Sequence, residues 1–544
     1  MARIDPCVTV SPLERRWVTF FALFTLAITT LPYLIGYANQ AENWRFTGFL
    51  FAVEDGNSYI AKMLSGAVGH LLFFTPYTPY PQSGVLAFLP YLLLGKLTAG
   101  AGQHEQLLAV FQIYRWLAGW FLISSVYKFI ALFVQEVQLR KIGTAAAVLG
   151  GGLGWLLLIV SKETLPLEFY SPESFGFLAL FGLPHLALGR GLLLKGVQGY
   201  IRSPRSDVLH ERQLDRRSAL WWVALGLVHP LNLVVGGAVV GVHFTLLTLT
   251  KVLRPNWLCG FTWHDWQPSL RRAGWLALAA APFVLYNAAM VKTDPFMAQW
   301  TAQNILISPP PLHYFLAYGL LIPLAVVGIR KALTLPGGQG WLPLVWTLLL
   351  PVLVYAPTNL QRRLSEGVWV ALVILALIGT MRLSETARKW GKYAAGLLYI
   401  TPLIFFTGSL AAVQQPDLPL FRSAAEIRAF EFLEEAAEPD AVVLAGRGTS
   451  NPLPAWAPLR VVVGHGPESL NAGYLTEQVA AFYDPKSAEM DRKTLIDDLN
   501  IRYIFFGPEE RLLGAWQPAK TEPYKLIFQQ DGYAIYEVIP EKIP

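Results

Sequence analysis

Two adjacent carboxylates, Glu54 and Asp55, lie in the polar segment that follows the first long apolar stretch of the chain. Ionisable groups at the edge of a membrane segment are costly and are therefore candidates for function. A carboxylate in this place would serve as a general base that takes the proton from an attacking hydroxyl. The alternative is a structural role, because Asp55 is also a good N-cap for a helix over residues 57–64. The residues alone leave both interpretations open.

Two neighbouring arginines, Arg362 and Arg363, lie in a short polar segment between two apolar stretches. Guanidinium groups bind phosphate through paired hydrogen bonds, so the two residues predict a phosphate site. Anchoring to anionic lipid headgroups is the alternative. The segment is expected on the outer side of the membrane, where the orientation rule does not favour positive charge. That position favours the phosphate site.

Six further residues are candidates for lining a cavity or contacting an acceptor molecule: Tyr59, Lys62, Glu168, Glu173, His185 and His229. The two glutamates would complete an acidic site or bind a divalent ion, or they would cap a helix beside Pro172. A pair of glutamates without further ligands is a weak metal pattern, so no metal ligand is predicted. The two histidines interrupt apolar runs and would relay protons or be buried structural residues. Gly464-His465-Gly466 is expected to form a turn after a strand, and contact with a ligand is the alternative.

The composition is that of a polytopic α-helical membrane protein. Of 544 residues, 54% are hydrophobic and only 15% are charged, and the sequence supplies about 10–12 apolar segments of the length that a membrane span needs. The net charge of +6 forms no basic face with interleaved aromatic residues, so no nucleic-acid partner is expected. The sequence contains no phosphate-binding loop, dinucleotide fingerprint or nucleophile elbow, which argues against an ATP-driven pump or a hydrolase.

The charge pattern predicts two domains. Arg15 and Arg16 precede the first span, which places the N-terminus in the cytoplasm and residues 38–84 in the first extracytoplasmic loop. Residues 1–413 are predicted to form the transmembrane domain. From residue 414 the composition changes to mixed helices and strands, which predicts a soluble extracytoplasmic α/β domain over 414–544.

Residues 142–250 allow two topologies. In the first, every apolar run is a full span and the arginine-rich segment 201–217 lies outside. In the second, the glycine-rich run at residues 150–154 is re-entrant and the run at His229-Pro230 is a hairpin, which places that segment inside. The second topology agrees better with the positive-inside rule and is preferred.

An acidic pair and a short helix in the first outside loop resemble the GT-C superfamily of integral membrane glycosyltransferases, in particular its bacterial mannosyltransferase-like and arabinosyltransferase-like members. The residues that carry the resemblance are Glu54, Asp55 and the segment 57–70. The resemblance implies a polyprenyl-phosphate sugar donor and an acceptor hydroxyl on a glycan, lipid or protein. It implies Asp55 as the base, Glu54 as the alternative carboxylate, and Arg362 and Arg363 as ligands of the lipid phosphate.

One departure from the superfamily concerns the metal. The second outside loop has spaced glutamates instead of an Asp-x-Asp pair, so no cofactor is expected to be required and a divalent metal is not favoured. The expected location is the bacterial cytoplasmic membrane, with the C-terminal domain outside. A transporter or flippase of lipid-linked glycan is the second hypothesis, because broken helices near the midplane suit transport. A non-catalytic membrane scaffold is the third.

Overall fold

The computed structural model describes residues 10–160, 164–202, 208–254, 261–516, 518 and 523–539. The described chain is mainly helical and divides into two compact units. The helical unit comprises Met1–Thr30, Tyr114–Ala289 and Ile305–Gly408. The mixed unit comprises Leu31–Ile113, Met290–Asn304 and Ser409–Pro544, so it groups the C-terminal segment with the predicted first loop. The domain boundary after residue 413 stays a prediction.

Helices α1 to α19 cover most of the chain before the C-terminal segment. Their bounds are α1 Pro12–Ala38, α2 Val53–Ala67, α3 Leu89–Gly95, α4 Gln103–Ile130, α5 Val137–Leu149, α6 Trp155–Val160, α7 Leu167–Tyr170, α8 Gly176–Gly182, α9 Pro184–Ile201, α10 Val208–Val228, α11 Leu231–Leu253, α12 Trp263–Thr293, α13 Pro295–Gln303, α14 Pro311–Gly319, α15 Ile322–Ala332, α16 Trp341–Val354, α17 Val368–Thr380, α18 Glu385–Gly396 and α19 Ile400–Ala412.

In the part of the chain that the structure describes, 6 helical segments are long and apolar enough to cross a membrane, or 7 if the pair α14 and α15, bent by 76°, is one span. The chain is therefore a multi-pass membrane protein. The other predicted spans appear as shorter or broken helices. The apolar content of residues 85–98 predicts a second membrane crossing, but α3 has only 7 residues, and a span needs roughly 20.

Both predicted interruptions of the middle segment are present. Helix α5 ends before Gly150 and α6 begins only at Trp155, while α10 and α11 are separated at His229-Pro230. A Cβ atom on Gly152 would lie 1.8 Å from the backbone oxygen of Ala317, so only glycine allows this close approach. The side of the membrane on which these breaks lie stays a prediction.

The C-terminal segment of the mixed unit contains a mixed α/β fold, as the sequence predicts. Its five-stranded sheet has the order β4-β3-β5-β7-β6, with β3 parallel to β4 and β5, and β7 antiparallel to β5 and β6. The hairpin between β6 and β7 turns at Asp531 and Gly532, both with positive φ, as their sequence indicates. The elements are β2 Phe421–Ser423, α20 Ala424–Ala436, β3 Val442–Leu444, α21 Arg447–Ser450, α22 Leu453–Trp456, β4 Arg460–Val461, α23 Ala472–Tyr483, α24 Glu489–Leu499, β5 Ile501–Phe506, α25 Pro508–Leu513, β6 Tyr524–Gln530 and β7 Tyr533–Val538.

The first loop is built into the mixed unit by backbone pairing and by its apolar residues. Strand β1 (Trp44–Phe46) pairs antiparallel with β2, so that Phe46 lies opposite Phe421. Ala61 and Tyr77 are buried in the same hydrophobic cluster as Phe430 and Phe505 of the C-terminal segment. Helix α2, which carries the predicted base, is therefore held by residues from the far end of the chain.

Candidate functional site

Helix α2 begins four residues earlier than its predicted start. Its N-cap is Ala52, in the left-handed conformation with φ 46° and ψ 48°, so Asp55 lies in the first turn and is not the N-cap. Carboxylates in a first turn interact favourably with the helix dipole. The side chains of Glu54 and Asp55 are 59% and 52% exposed. Both carboxylates are therefore open to a substrate.

Asp55 contacts a histidine from the C-terminal segment. Its Oδ1 lies 3.2 Å from Nε2 of His465, whose side chain is only 5% exposed. No described residue donates a hydrogen bond to Oδ2 of Asp55. The carboxylate is thus held through one oxygen, and the other remains available to accept a proton.

Glu54 has a weaker partner. Its Oε2 lies 3.5 Å from Nη2 of Arg447, and both side chains are about half exposed. Asn451 follows on the same loop, and its side-chain oxygen accepts a 2.7 Å hydrogen bond from Nδ2 of Asn57. The segment 446–451, which contains the short helix α21, therefore contacts the first turn of α2 beside both carboxylates.

Lys62 forms a buried ion pair one turn further along α2. Its Nζ lies 2.6 Å from Oε1 of Glu468, and the two side chains are 1% and 6% exposed. Ser58 donates to Oε1 and Thr75 donates to Oε2 of the same carboxylate. Burial would by itself raise the pKa of Glu468, but the charge of Lys62 and these hydrogen bonds outweigh it and hold the pKa below its ordinary value.

Tyr59 and Lys62, predicted as cavity or acceptor residues, have structural contacts. The Tyr59 ring stacks on Tyr91 with centroids 4.8 Å apart, and Nζ of Lys62 lies 4.4 Å from the centroid of Phe88. Their role towards an acceptor stays a prediction. A cavity of about 320 Å³ does adjoin α2 in the mixed unit. Its lining includes Ser65, His70, Phe74, Gln82, Asp440 and Arg460.

The two predicted phosphate ligands lie in the helical unit, on the short 3-10 helix Gln361–Ser365. The guanidinium of Arg362 lies 4.7 Å from the centroid of the Tyr170 ring, and its buried Nε has no hydrogen-bond partner among the described residues. Nε of Arg363 lies 3.5 Å from Oε1 of Glu173, with 38% of the arginine side chain exposed. Both guanidinium groups thus retain N–H donors for a ligand.

A buried ion pair fixes this arginine segment. Arg190 of α9 pairs with Glu366, and both side chains are almost fully buried. Nη2 of Arg190 also donates to the backbone oxygens of Pro172 and Glu173 at 2.7 and 2.8 Å. The segment that carries Glu173 and the segment that carries the two arginines are therefore held by one side chain.

Glu168 accepts hydrogen bonds at the break between α5 and α6. Its Oε1 accepts from the backbone N–H groups of Gly152 and Gly154 at 3.2 and 2.8 Å. This contact lies at the break before α6 and is not the predicted cap beside Pro172, so the predicted roles of Glu168 and Glu173 stay predictions. The rings of His185 and His229 lie 6.2 Å apart, also in the helical unit. Among the described residues no group of three or more His, Cys, Asp or Glu is placed to hold a metal ion, and independence from metal stays a prediction.

Sequence reasoning singled out the carboxylates of α2 but not their partners. For His465 a turn was preferred and a ligand contact was the alternative, and Glu468, Thr75 and Arg447 were not considered. The only local signal was a histidine between two glycines directly after a strand. Its partner Asp55 is 410 residues away, and no local pattern connects the two.

Comparison with known proteins identifies the fold. No family model matches the chain, and no curated protein matches it. Among solved structures, apo ArnT from Cupriavidus metallidurans has a TM-score of 0.53 at 12% identity, covering 96% of this chain and 98% of that one. Arabinofuranosyltransferase AftD from Mycobacteria has a TM-score of 0.57 at 14% identity, covering 99% of this chain and 41% of that one.

The fold is that of the GT-C membrane glycosyltransferases. ArnT from Cupriavidus metallidurans bound to undecaprenyl phosphate is also similar, with a TM-score of 0.50 at 13% identity, covering 96% of this chain and 99% of that one. This likeness confirms the GT-C fold that the acidic first loop indicates. The roles of the individual site residues stay predictions.

Proposed function

We propose that this protein is a membrane glycosyltransferase that moves a sugar from a polyprenyl-phosphate donor to an acceptor hydroxyl on the extracytoplasmic side of a bacterial cytoplasmic membrane. The observation that carries the proposal is Asp55, a half-exposed carboxylate with one free oxygen on the first-loop helix of a GT-C fold. The structure of ArnT bound to undecaprenyl phosphate, which shares the fold, supports a lipid phosphate as the donor group.

In the proposed reaction the acceptor oxygen attacks the sugar carbon that carries the phosphate. A bond forms between that carbon and the acceptor oxygen, the bond from carbon to phosphate oxygen breaks, and polyprenyl phosphate leaves with the bonding electrons. The proton of the acceptor hydroxyl moves to Oδ2 of Asp55. Such a base must lie within hydrogen-bond reach of the proton. Glu54, paired with Arg447, is the alternative carboxylate.

Arg362 and Arg363 are proposed to bind the donor phosphate. A leaving phosphate gains negative charge, and guanidinium donors stabilise that charge through paired hydrogen bonds. The unpartnered Nε of Arg362 and the long contact of Arg363 with Glu173 support this role. Because the arginines supply positive charge, the proposed reaction requires no metal ion.

An extended acceptor is proposed to place part of its chain in the cavity beside α2. The lining of this cavity includes neither Asp55 nor Glu54, so the reacting hydroxyl would lie outside it, within reach of the base. The cavity wall combines apolar surface from Phe74 with polar groups from His70, Asp440 and Arg460. Ligand sites typically pair apolar walls with a few placed polar groups, and this mixture suits a glycan acceptor. Replacing Arg460 with glutamine is expected to raise the acceptor KM and leave the donor KM unchanged. An unchanged acceptor KM would contradict binding of the acceptor in this cavity.

The deciding experiment is sugar transfer in proteoliposomes, with a panel of polyprenyl-phosphate sugars and an extract of envelope acceptors. Asp55→Asn should lower the rate roughly 10²–10⁴-fold, as expected for a lost general base, and should retain binding of undecaprenyl phosphate. Glu54→Gln tests the alternative carboxylate: a loss of this size there, with Asp55→Asn near the wild-type rate, would move the base to Glu54. Glu42→Gln, at an exposed carboxylate of the first loop, is the matched control and should stay near the wild-type rate. Full transfer by Asp55→Asn would contradict the assignment of the base.

One structural observation supports the flippase hypothesis. The break between α5 and α6 and the 76° bend between α14 and α15 are features that transporters place at their substrate sites. The same vesicles test it through the movement of a fluorescent polyprenyl phosphate between leaflets. Lipid movement without sugar transfer would favour the flippase over the transferase.

A further inference from the structure

We propose that His465 is a positioning residue for Asp55, so that the C-terminal segment supplies part of the active site itself. The inference rests on the proposed function and goes beyond it. It assigns the C-terminal segment a direct effect on the base, in addition to any binding of the acceptor.

The contact is asymmetric in a way that suits positioning. The Asp55 side chain is 52% exposed, whereas the His465 side chain is 5% exposed. An exposed carboxylate samples several rotamers, and a hydrogen bond to a buried ring selects one of them. Because the ring contacts Oδ1 at 3.2 Å, the selected rotamer leaves Oδ2 for the acceptor hydroxyl.

The loop that carries His465 is itself fixed. Oγ of Ser469 accepts hydrogen bonds from the backbone N–H groups of Gly464 and His465 at 3.0 and 3.1 Å. Nε2 of Gln303 donates to the backbone oxygens of Pro467 and Ser469 at 2.9 and 2.8 Å. The ion pair between Lys62 and Glu468 joins the same loop to α2. The ring therefore keeps its place relative to the helix that carries Asp55.

The distances around the ring suit donation from Nε2 to Asp55. Oε1 of Glu468 lies 3.9 Å from Nδ1 of His465, which is beyond hydrogen-bond distance, and the same oxygen contacts Nζ of Lys62. The ring of Tyr77 lies 5.4 Å from the imidazole, and Arg447 flanks the turn at Gly466. With Nε2 protonated, the histidine donates to the carboxylate of Asp55.

The test uses three substitutions at one position. Glutamine places an amide near the position of Nε2 and keeps a donor, asparagine is too short to reach Asp55, and phenylalanine keeps the ring without a donor. His465→Phe and His465→Asn should lower kcat roughly 10–100-fold, the effect of losing a hydrogen bond to a charged group. The donor KM should not change. His465→Gln should restore most of the rate, and His264→Phe, at an exposed histidine, should have no effect.

A double-mutant comparison separates positioning from general structural damage. In an Asp55→Asn background, His465→Phe should cause little further loss, because the carboxylate that the contact positions is already absent. Equal loss in both backgrounds, or a rate in His465→Phe equal to wild type, would overturn the inference while leaving the proposed function intact.

A spectroscopic measurement tests the contact without any transfer assay. In protein labelled with ¹⁵N-histidine, the NMR signal that disappears in His465→Gln belongs to His465. Asp55→Asn should shift that signal, and Glu54→Gln should leave it in place. An unshifted signal would overturn the inference even if no donor sugar were transferred, whereas absence of transfer together with a shifted signal would count against the proposed function alone.

Discussion

Lys62 and Glu468 lie 2.6 Å apart in a buried ion pair, although 406 residues separate them in the chain. Lys62 belongs to the helix that carries Asp55, and Glu468 belongs to the loop that carries His465. Taking both charges out of water is costly, and the hydrogen bonds from Ser58 and Thr75 compensate part of that cost. The pair therefore fixes the spacing between the candidate base and its histidine partner.

Lys62→Met should strongly destabilise the mixed unit, because it leaves Glu468 buried and unpaired. Removing one partner of a buried ion pair costs about 3–5 kcal/mol. Thermal unfolding of the detergent-solubilised protein measures the change. The matched control is Lys525→Met, whose exposed pair with Glu537 should contribute less than about 1 kcal/mol. Equal effects of the two substitutions would contradict the stabilising role of the buried pair.

Glu510 should make stability depend on pH near neutrality. Burial raises its pKa to about 7 from the ordinary 4.5, against the opposing hydrogen bonds from the N–H groups of Gly446 and Gly507. Between about pH 4.5 and about pH 7 the folded state therefore keeps the proton on Glu510 that the unfolded state releases. The resulting stability is complete below about pH 4.5 and is lost as the pH rises through about 7.

Melting temperatures across this range test the assignment. They should fall as the pH rises from 5 to 8, by an amount equivalent to at most about 3 kcal/mol. Glu510→Gln should flatten the profile. Because the glutamine amide would face a backbone N–H, it should also lower stability at every pH. An equally steep profile in Glu510→Gln would assign the effect to another group.

Gly66 and Gly95 should not tolerate alanine. A Cβ atom at Gly66 would lie 2.0 Å from the backbone oxygen of Leu92, and one at Gly95 would lie 1.7 Å from that of Met63. Each alanine would force α2 and α3 apart, at a cost of about 1–3 kcal/mol, and sugar transfer should fall because α2 carries Asp55. Gly473→Ala is the control, since nothing lies within 4 Å of its Cβ position. It should leave stability unchanged or slightly raised.

Arg362→Gln and Arg363→Gln should each weaken donor binding. Loss of charged hydrogen bonds to phosphate corresponds to roughly a 10–100-fold rise in Kd. Binding of undecaprenyl phosphate to the purified protein measures it. Arg382→Gln, at an exposed arginine, should leave the Kd unchanged. Unchanged binding in both variants would support the alternative role, in which the two arginines bind anionic lipid headgroups.

Features determined by nearby residues were predictable from the sequence. The apolar residues at 533–538 predict a strand and Asp531-Gly532 predicts a hairpin turn, and the structure has both. These signals succeed because each lies within a few residues of the structure that it specifies. The acidic pair was recognised because its position after the first span is visible in the hydropathy pattern. The GT-C fold was expected from that position.

Pairings across long sequence separations were not predictable. His465 contacts Asp55 and Arg190 contacts Glu366 because the fold brings distant segments together. The residues around His465 and around Arg190 contain no pattern from which either partner could be predicted. The start of α2 was placed too late because Ala52 adopts a left-handed conformation, which alanine rarely does. The short α3 was expected to be a span because apolar content alone does not determine helix length.

The pairing of β1 with β2 has a consequence for the order of biosynthesis. Residues 44–46 are synthesised long before their partners at 421–423. The loop with the predicted base therefore has no partner strand until every intervening helix has been synthesised. Domains generally fold as their residues become available during synthesis. We therefore expect the first loop to reach its final structure only after residues 421–423 have been made, because β1 has its partner strand only then.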